Sequence, residues 1–262
     1  MEKRMTIRRN ILKYGGGSFS EQEALIVVEF PLTVKLNGEE FGTMVCTPEG
    51  LEDLVIGFLA SEGIIRFVEE VDSLSVDVSK GFAYVELKNK QPAHMDTVSK
   101  RFIGSCCGKS RQFYFYNDMK TAKTVTSRLQ ISPEQIFALM DALQSDSTEF
   151  QSTGGLHNAA LCTPDGIVHF ASDIGRHNAL DKIYGHMLKN RIPAHDKLVA
   201  FSGRISSEVL LKIAKIGCGI LLSKSAPSDL ALDLADDLGI TAIGFIRNRQ
   251  MNIYTHPHRV RV

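Results

Sequence analysis

The chain has 262 residues, with 30 lysines and arginines balanced by 30 aspartates and glutamates, and 44% apolar residues. That length fits one large domain or two coupled ones, with apolar content ample for a buried core. Balanced charge gives no global drive toward nucleic acid or anionic membrane, the charged Met1–Thr6 start has no apolar signal core, and no apolar run approaches the ~20 residues of a membrane helix.

Residues 1–20 read as basic and irregular. Leu25 to Leu36 is β-branched and strand-like, and Asn37-Gly38 turns it into a second strand near Gly42 to Cys46. Thr47-Pro48-Glu49 predicts a helix start, with Thr47 as cap and Pro48 in the first position. Leu51, Leu54, Val55, Phe58 and Leu59 follow at helical spacing, and Gly63 ends the helix. Val71–Val78 and Phe82–Leu87 predict a hairpin turning at Lys80-Gly81. Residues 89–124 have weak periodicity, and so long an irregular stretch points to function. Ser132-Pro133-Glu134 opens a helix running to about Leu143.

The pattern then changes. Ala159–Cys162 and Ile167–Ala171 flank Pro164-Asp165-Gly166 as a hairpin. Helices are predicted at His177–Asn190, Ser206–Ile216 and Ser228–Leu238. They alternate with strands at Leu198–Phe201, Ile220–Leu222 and Thr241–Ile246, and Met251–Thr255 closes the fold as an edge strand. Alternating strand and helix predicts an α/β fold with a mainly parallel sheet covered on both faces. The chain divides near residue 148 into a smaller α+β part (1–148), carrying the loop at about 89–124, and an α/β part (149–262).

Chemistry concentrates at a few places. The five cysteines are odd in number and irregularly spaced, which argues against a secreted disulfide framework and for a reducing, cytoplasmic setting. Cys46, Cys162 and Cys218 sit in apolar company. Cys106 and Cys107 stand side by side in a polar stretch with Gly108, Lys109, Arg101 and Arg111, where nearby cations favour thiolate. The readings are a reactive thiol, two ordinary loop cysteines, a metal ligand pair or a strained vicinal disulfide. Adjacent cysteines rarely give two ligands of a tetrahedral zinc site.

Gly154-Gly155 before His157 suggests either close backbone approach to a ligand or a tight turn. Zinc deaminases need His-x-Glu, and here Ala159 takes the place of the glutamate. Asp173-Ile174-Gly175-Arg176-His177 lies where a strand gives way to a helix. It reads as an anion site in which Arg176 forks onto a phosphate and His177 donates or moves a proton, or as a capped helix start with Asp173 paired to Arg176. Ser202-Gly203-Arg204 and Ser225-Ala226-Pro227 are two more strand-to-helix edges, lacking the lysine of a P-loop; Ser206 can cap the helix after the first. Phe245-Ile246-Arg247-Asn248-Arg249-Gln250 is either a solvated hairpin or an anion or guanine contact. Together these edges predict one crevice bearing hydroxyls, arginines and free amides.

These residues resemble the formate dehydrogenase accessory sulfurtransferase family over nearly the whole chain. The resemblance rests on Cys46-Thr47-Pro48 running into Gly57-Phe58-Leu59 and Glu62-Gly63, on Thr153-Gly154-Gly155 with His157, on Asp173 to Lys182, and on Ser202-Gly203-Arg204, Ser225-Ala226-Pro227 and Asn252-Ile253-Tyr254-Thr255. It implies a cytidine-deaminase-like three-layer αβα second part without the metal apparatus. It implies a sulfur carrier that takes persulfide sulfur from a cysteine desulfurase. The sulfur passes to the molybdenum cofactor carrying two guanine dinucleotides, Mo-bis(molybdopterin guanine dinucleotide), for formate dehydrogenase. Many members carry Cys-Gly-x-Cys-Gly, whereas this chain has Cys106-Cys107-Gly108. Matching the trailing Cys-Gly-Lys makes Cys107 the carrier and Cys106 helper or alternative.

The cofactor-binding set expected is Gly155, His157, Arg176, His177, Ser202, Arg204, Ser225 and Phe245 to Gln250 (Phe245, Ile246, Arg247, Asn248, Arg249, Gln250), with no zinc. Exposed apolar edge strands suggest a homodimer; no nucleic acid or membrane partner is expected. The rivals are a cofactor-binding chaperone without a covalent step, a nucleotide deaminase and a thiol–disulfide oxidoreductase.

Overall fold

A computed structural model describes residues 5–89, 101–103, 122, 124–145 and 153–261, of which 101–103 are described as backbone alone. The first part is built on a five-stranded sheet ordered β5-β6-β3-β4-β7, from β3 (Phe30–Leu36), β4 (Glu39–Cys46), β5 (Val71–Asp77), β6 (Phe82–Leu87) and β7 (Arg101–Ile103). Period-two alternation puts Leu32, Val34 and Leu36 in its core. Asn37 and Gly38 adopt positive φ at the predicted hairpin turn, and Asn37 Oδ1 also accepts the amide of Leu87 at 2.9 Å, tying the turn to β6.

The start of the chain departs from the sequence reading. Thr6–Gly15 (β1) and Ser18–Val27 (β2) form a two-stranded antiparallel sheet of their own, so residues 6–20 are regular and the predicted Leu25–Leu36 strand is split in two. Ile7, Leu12, Tyr14 and Phe19 are exposed on this arm. With charged residues interleaved among them, its apolar positions do not alternate, which hid the strands from a periodicity argument.

The helix predicted at Thr47 begins later, as α1 (Leu51–Ser61), and its cap position is Gly50 in the left-handed region (φ 60°) with no side-chain cap. Thr47 is fully buried, and both its amide and its hydroxyl go to Asp173 Oδ2 at 3.1 Å. A buried carboxylate outcompetes a local cap. Nine of the eleven residues of α1 are buried, because it is held between the five-stranded sheet and α3 (Arg176–Lys189).

The crossing of α1 and α3 is a backbone contact. A Cβ on Gly57 would lie 1.8 Å from the carbonyl oxygen of Asp181, and one on Gly185 would lie 1.9 Å from that of Asp53. No other residue fits at either place.

The second part is a six-stranded sheet ordered β13-β12-β11-β10-β8-β9, from β8 (His157–Thr163), β9 (Gly166–Asp173), β10 (Leu198–Phe201), β11 (Ile220–Ser223), β12 (Thr241–Arg247) and β13 (Gln250–Ile253). Only β10–β11 and β11–β12 run parallel; the other three pairings are antiparallel. This corrects the mainly parallel expectation: the tight turns at Pro164-Asp165-Gly166 and Asn248-Arg249 leave no room for crossover helices. The α/β class holds. α3, α4 (Ser207–Ile216) and α5 (Asp229–Asp237) cover one face, where Leu161, Val199, Leu221 and Ala242 point. α2 (Pro133–Ser145) covers the other, over Ala160, Ala200, Leu222 and Ile243. Both faces of each central strand are therefore apolar, as a three-layer fold requires. Ser132 starts α2 through a reciprocal pair: its hydroxyl accepts from the Gln135 amide, and its own amide donates to Gln135 Oε1 at 3.0 Å. The Ser206 hydroxyl caps α4, accepting from the Val209 amide. Among the described residues, no helix is long and apolar enough to cross a membrane.

Candidate functional site

The decapeptide Asp173–Lys182 opens with the end of β9 and continues into α3. Asp173 is fully buried and does not pair with Arg176. Its Oδ2 faces Lys182 Nζ at 2.7 Å, and its Oδ1 accepts from the Gly175 amide at 2.8 Å and Asn178 Nδ2 at 2.9 Å. Lys182 Nζ also donates to the Thr47 hydroxyl at 2.8 Å and the Ser172 carbonyl at 2.9 Å, and Asn178 Nδ2 reaches the Val45 carbonyl. One turn on, Asp181 accepts from the Ser61 hydroxyl at 2.6 Å and from Lys212. Asp173, Asn178, Asp181 and Lys182 thus fasten the two parts together, with each charge paired and hydrogen-bonded as burial demands. The helix itself starts at Gly175 without a side-chain cap, and Asp173 pairs with Lys182 in place of Arg176.

Arg176 and His177 share that decapeptide but not that network. Arg176 Nε is buried and has no hydrogen-bond partner among the described residues. His177 Nε2 lies 2.9 Å from Glu208 Oε2 on the first turn of α4. The place of Glu208 two residues after the Ser206 cap is the signal that could have flagged this contact. Arg176 lies near enough to His157 to act on it. Burial first, and the Arg176 charge second, hold the His157 imidazole below its ordinary pKa and favour the neutral ring.

His157 opens β8 opposite Asp173 and begins a continuous row along the end of the sheet. Asn158 donates its amide to the Ser202 hydroxyl and receives the Ser202 amide, both at 2.9 Å. The Ser223 hydroxyl donates to the Gly203 carbonyl at 2.7 Å, and the Ser225 hydroxyl to the Ser202 carbonyl at 3.3 Å. Phe245 donates its amide to the Ser225 carbonyl. A Cβ on Gly203 would lie 2.8 Å from the Phe201 ring and 3.5 Å from His157 Nδ1, so glycine lets the loop close over the strand end. The structure brings His157, Arg176, Ser202 and Ser225 into this row. Arg204 is exposed beside it, as is Gly155, which abuts Val27.

The β12–β13 hairpin forms a second group. Arg247, Asn248 and Arg249 line a cleft of about 280 Å³ closed on the other side by Phe137, Asp141 and Gln144 of α2, and by Lys224. Ile246 forms part of its buried floor, and Gln250 is exposed at the start of β13. Arg249 sits over the Phe137 ring at 5.4 Å, and Arg247 over Phe245 at 5.5 Å. Phe245, Asn248 and Arg249 all have φ between 51° and 56°, beside a register shift between Gly244 and Arg247. For an aromatic residue such as Phe245 this is a strained backbone, the kind that persists where a site holds it. Three cations against one carboxylate, with aromatic faces, suit a planar anionic ligand. Lys224, directly after β11, was missed in the sequence although its position at a strand end is the same signal that marked Ser225. The single crevice expected from the sequence is thus two adjoining groups, one at the sheet end and one against α2.

Cys106 and Cys107 lie outside the described residues. The three described cysteines are all buried, and burial pushes the Cys162 and Cys218 thiols up to about 12 and raises Cys46 as well. Thiols so protonated are poor nucleophiles.

Residues 27–261 match the model of the FdhD/NarQ family. The chain is 58% identical over 253 residues to the sulfur carrier protein FdhD of Geobacillus kaustophilus, covering 97% of this chain and 96% of that one. It is 56% identical to the sulfur carrier protein FdhD of Bacillus subtilis, covering the whole of both. A crystal structure of a proposed formate dehydrogenase accessory protein from Desulfotalea psychrophila superposes with a TM-score of 0.80 at 24% identity, over 98% of this chain and 100% of that one. That likeness establishes the fold.

Proposed function

The chain belongs to the FdhD/NarQ family, and from that premise we propose that it is a sulfur carrier acting in formate dehydrogenase maturation. The observation that carries this reading is the full-length identity of 56% with a protein named as a sulfur carrier. In the proposed reaction the Cys107 thiolate attacks the outer sulfur of a persulfide on a cysteine desulfurase. A new S–S bond forms, the donor's S–S bond breaks, and the donor cysteine leaves as thiolate. Cys107 then carries the persulfide, with Cys106 as its neighbour or alternative. The recipient is the molybdenum cofactor with its two guanine dinucleotides, taken as substrate. The basic, aromatic cleft at Arg247, Asn248, Arg249 and Lys224 suits a guanine nucleotide, and Arg176, His157 and the Ser202 hydroxyl offer donors for phosphate. A homodimer is part of this reading, with the exposed apolar arm of β1 and β2 as its contact, and light scattering of the intact chain reads it directly.

Intact mass after incubation with a cysteine desulfurase and cysteine tests the covalent step. The expected result is a gain of one sulfur atom mapped to Cys107 and lost in Cys107→Ala. If the chain with both Cys106→Ala and Cys107→Ala still supports full formate dehydrogenase activity, the reading fails, and a non-covalent cofactor chaperone replaces it.

A further inference from the structure

Asp53 on α1, His169 on β9 and His186 on α3 present ligand atoms that all lie within 4.8 Å of one another, the one such group of three among the described residues. The sequence gives no hint of it, because its members are far apart and none is a cysteine. The two imidazoles are stacked, with centroids 3.5 Å apart and planes within 1°. His186 Nδ1 faces Asp53 Oδ2 at 3.5 Å, longer than a good hydrogen bond, with Asn190 Nδ2 at 3.3 Å on the same atom. Lys189 Nζ holds the other carboxylate oxygen, Oδ1, at 2.9 Å and leaves Oδ2 turned to the rings.

We propose that Asp53, His169 and His186 bind a divalent first-row transition-metal ion, with water completing its coordination. Two imidazoles and one carboxylate are a donor set that Zn²⁺ and Co²⁺ take readily. The site is rigid where it needs to be. The backbone meeting of Gly57 and Gly185 puts the Asp53 carbonyl against Gly185, so Asp53 and the adjacent His186 are placed side by side by the helix crossing itself. His169 faces them because its register partner on β8, Leu161, points to the α3 side of the sheet. Metal–nitrogen and metal–oxygen bonds of about 2.0–2.2 Å bring the donors closer than they now lie, and the rings close that gap by turning out of their stack. The bland alternative, a stacked histidine pair beside an Asp53–Lys189 ion pair, predicts no metal affinity. The ion would pin α1, β9 and α3, which belong to different parts of the chain. This site is distinct from the deaminase-type metal site that the sequence argues against.

The experiment is a Co²⁺ titration of the full chain carrying Cys106→Ser and Cys107→Ser, so that no thiolate of that pair contributes. The expected result is one equivalent bound, visible d–d absorption, and a rise in Tm with Co²⁺ concentration. His169→Gln, His186→Gln and Asp53→Asn, each checked for native circular dichroism, are expected to weaken binding about tenfold or more. Absence of saturable binding, or saturable binding that none of the three substitutions changes, would overturn the proposal.

Discussion

Two sets of polar residues sit within one decapeptide and do opposite work. Asp173, Asn178, Asp181 and Lys182 are buried, and each is hydrogen-bonded to a partner outside α3, in the first part or on α4. Arg176, a residue away from Gly175, is left with a buried Nε that nothing described satisfies. The difference teaches that a dense polar motif is not by itself a ligand site. What each side chain meets across the fold divides it, and the unsatisfied member is the candidate for function.

The sharpest way to break this comparison is to remove a locked residue. Lys182→Met leaves the Asp173 carboxylate buried and unpaired, so unfolding in urea should show a loss of about 3–5 kcal/mol. A loss below 1 kcal/mol would mean that the network does not hold the two parts together. Arg176→Gln is the converse. It should leave stability within about 0.5 kcal/mol while weakening GMP binding about tenfold, the worth of one charge-assisted hydrogen bond. Equal affinity of both chains for GMP would return Arg176 to a structural role.

The smallest effect concerns His157. Its folded-state pKa is lowered by burial and by Arg176, so folding disfavours the protonated ring. Its contribution is fully present above the unfolded value of about 6.5 and is lost as pH falls through the lower folded value. His157→Gln should therefore flatten the loss of stability below pH ~6.5, measured by urea midpoints across pH. His169 is shifted the same way by burial and by His186, so some slope should remain.

Much of the second part was legible from the sequence. Short apolar runs with both faces buried, bounded by Gly, Ser and Asp, gave strands and helices within a residue or two of their places, because the interior left no other option for Leu198–Phe201 or Ile220–Ser223. What was not legible came from contacts between distant segments. Thr47 looks like a cap until Asp173 is beside it. The sheet reads as parallel until its hairpins are placed. The strands at Thr6–Gly15 and Ser18–Val27 lie on an exposed arm where no core imposes a pattern. At the candidate site, strand ends drew attention to Ser202, Ser225 and Arg247, which the fold places at the sheet end and in the cleft beside it. Only the fold shows that Lys224 and Phe137 share a cleft with Arg247, or that Glu208 faces His177.

The meeting of Gly57 and Gly185 also bears on how the protein is made. α1 is apolar nearly all round, and among the described residues one of its sides is covered by α3, which a ribosome delivers much later. Until that helix emerges, the nascent chain presents an uncovered greasy flank to the cytosol or to whatever chaperone shields it. Any pause in translation between the two glycines prolongs that exposure. Biosynthetic yield should therefore depend on how fast the stretch between them is translated, even though none of the finished molecule's chemistry does.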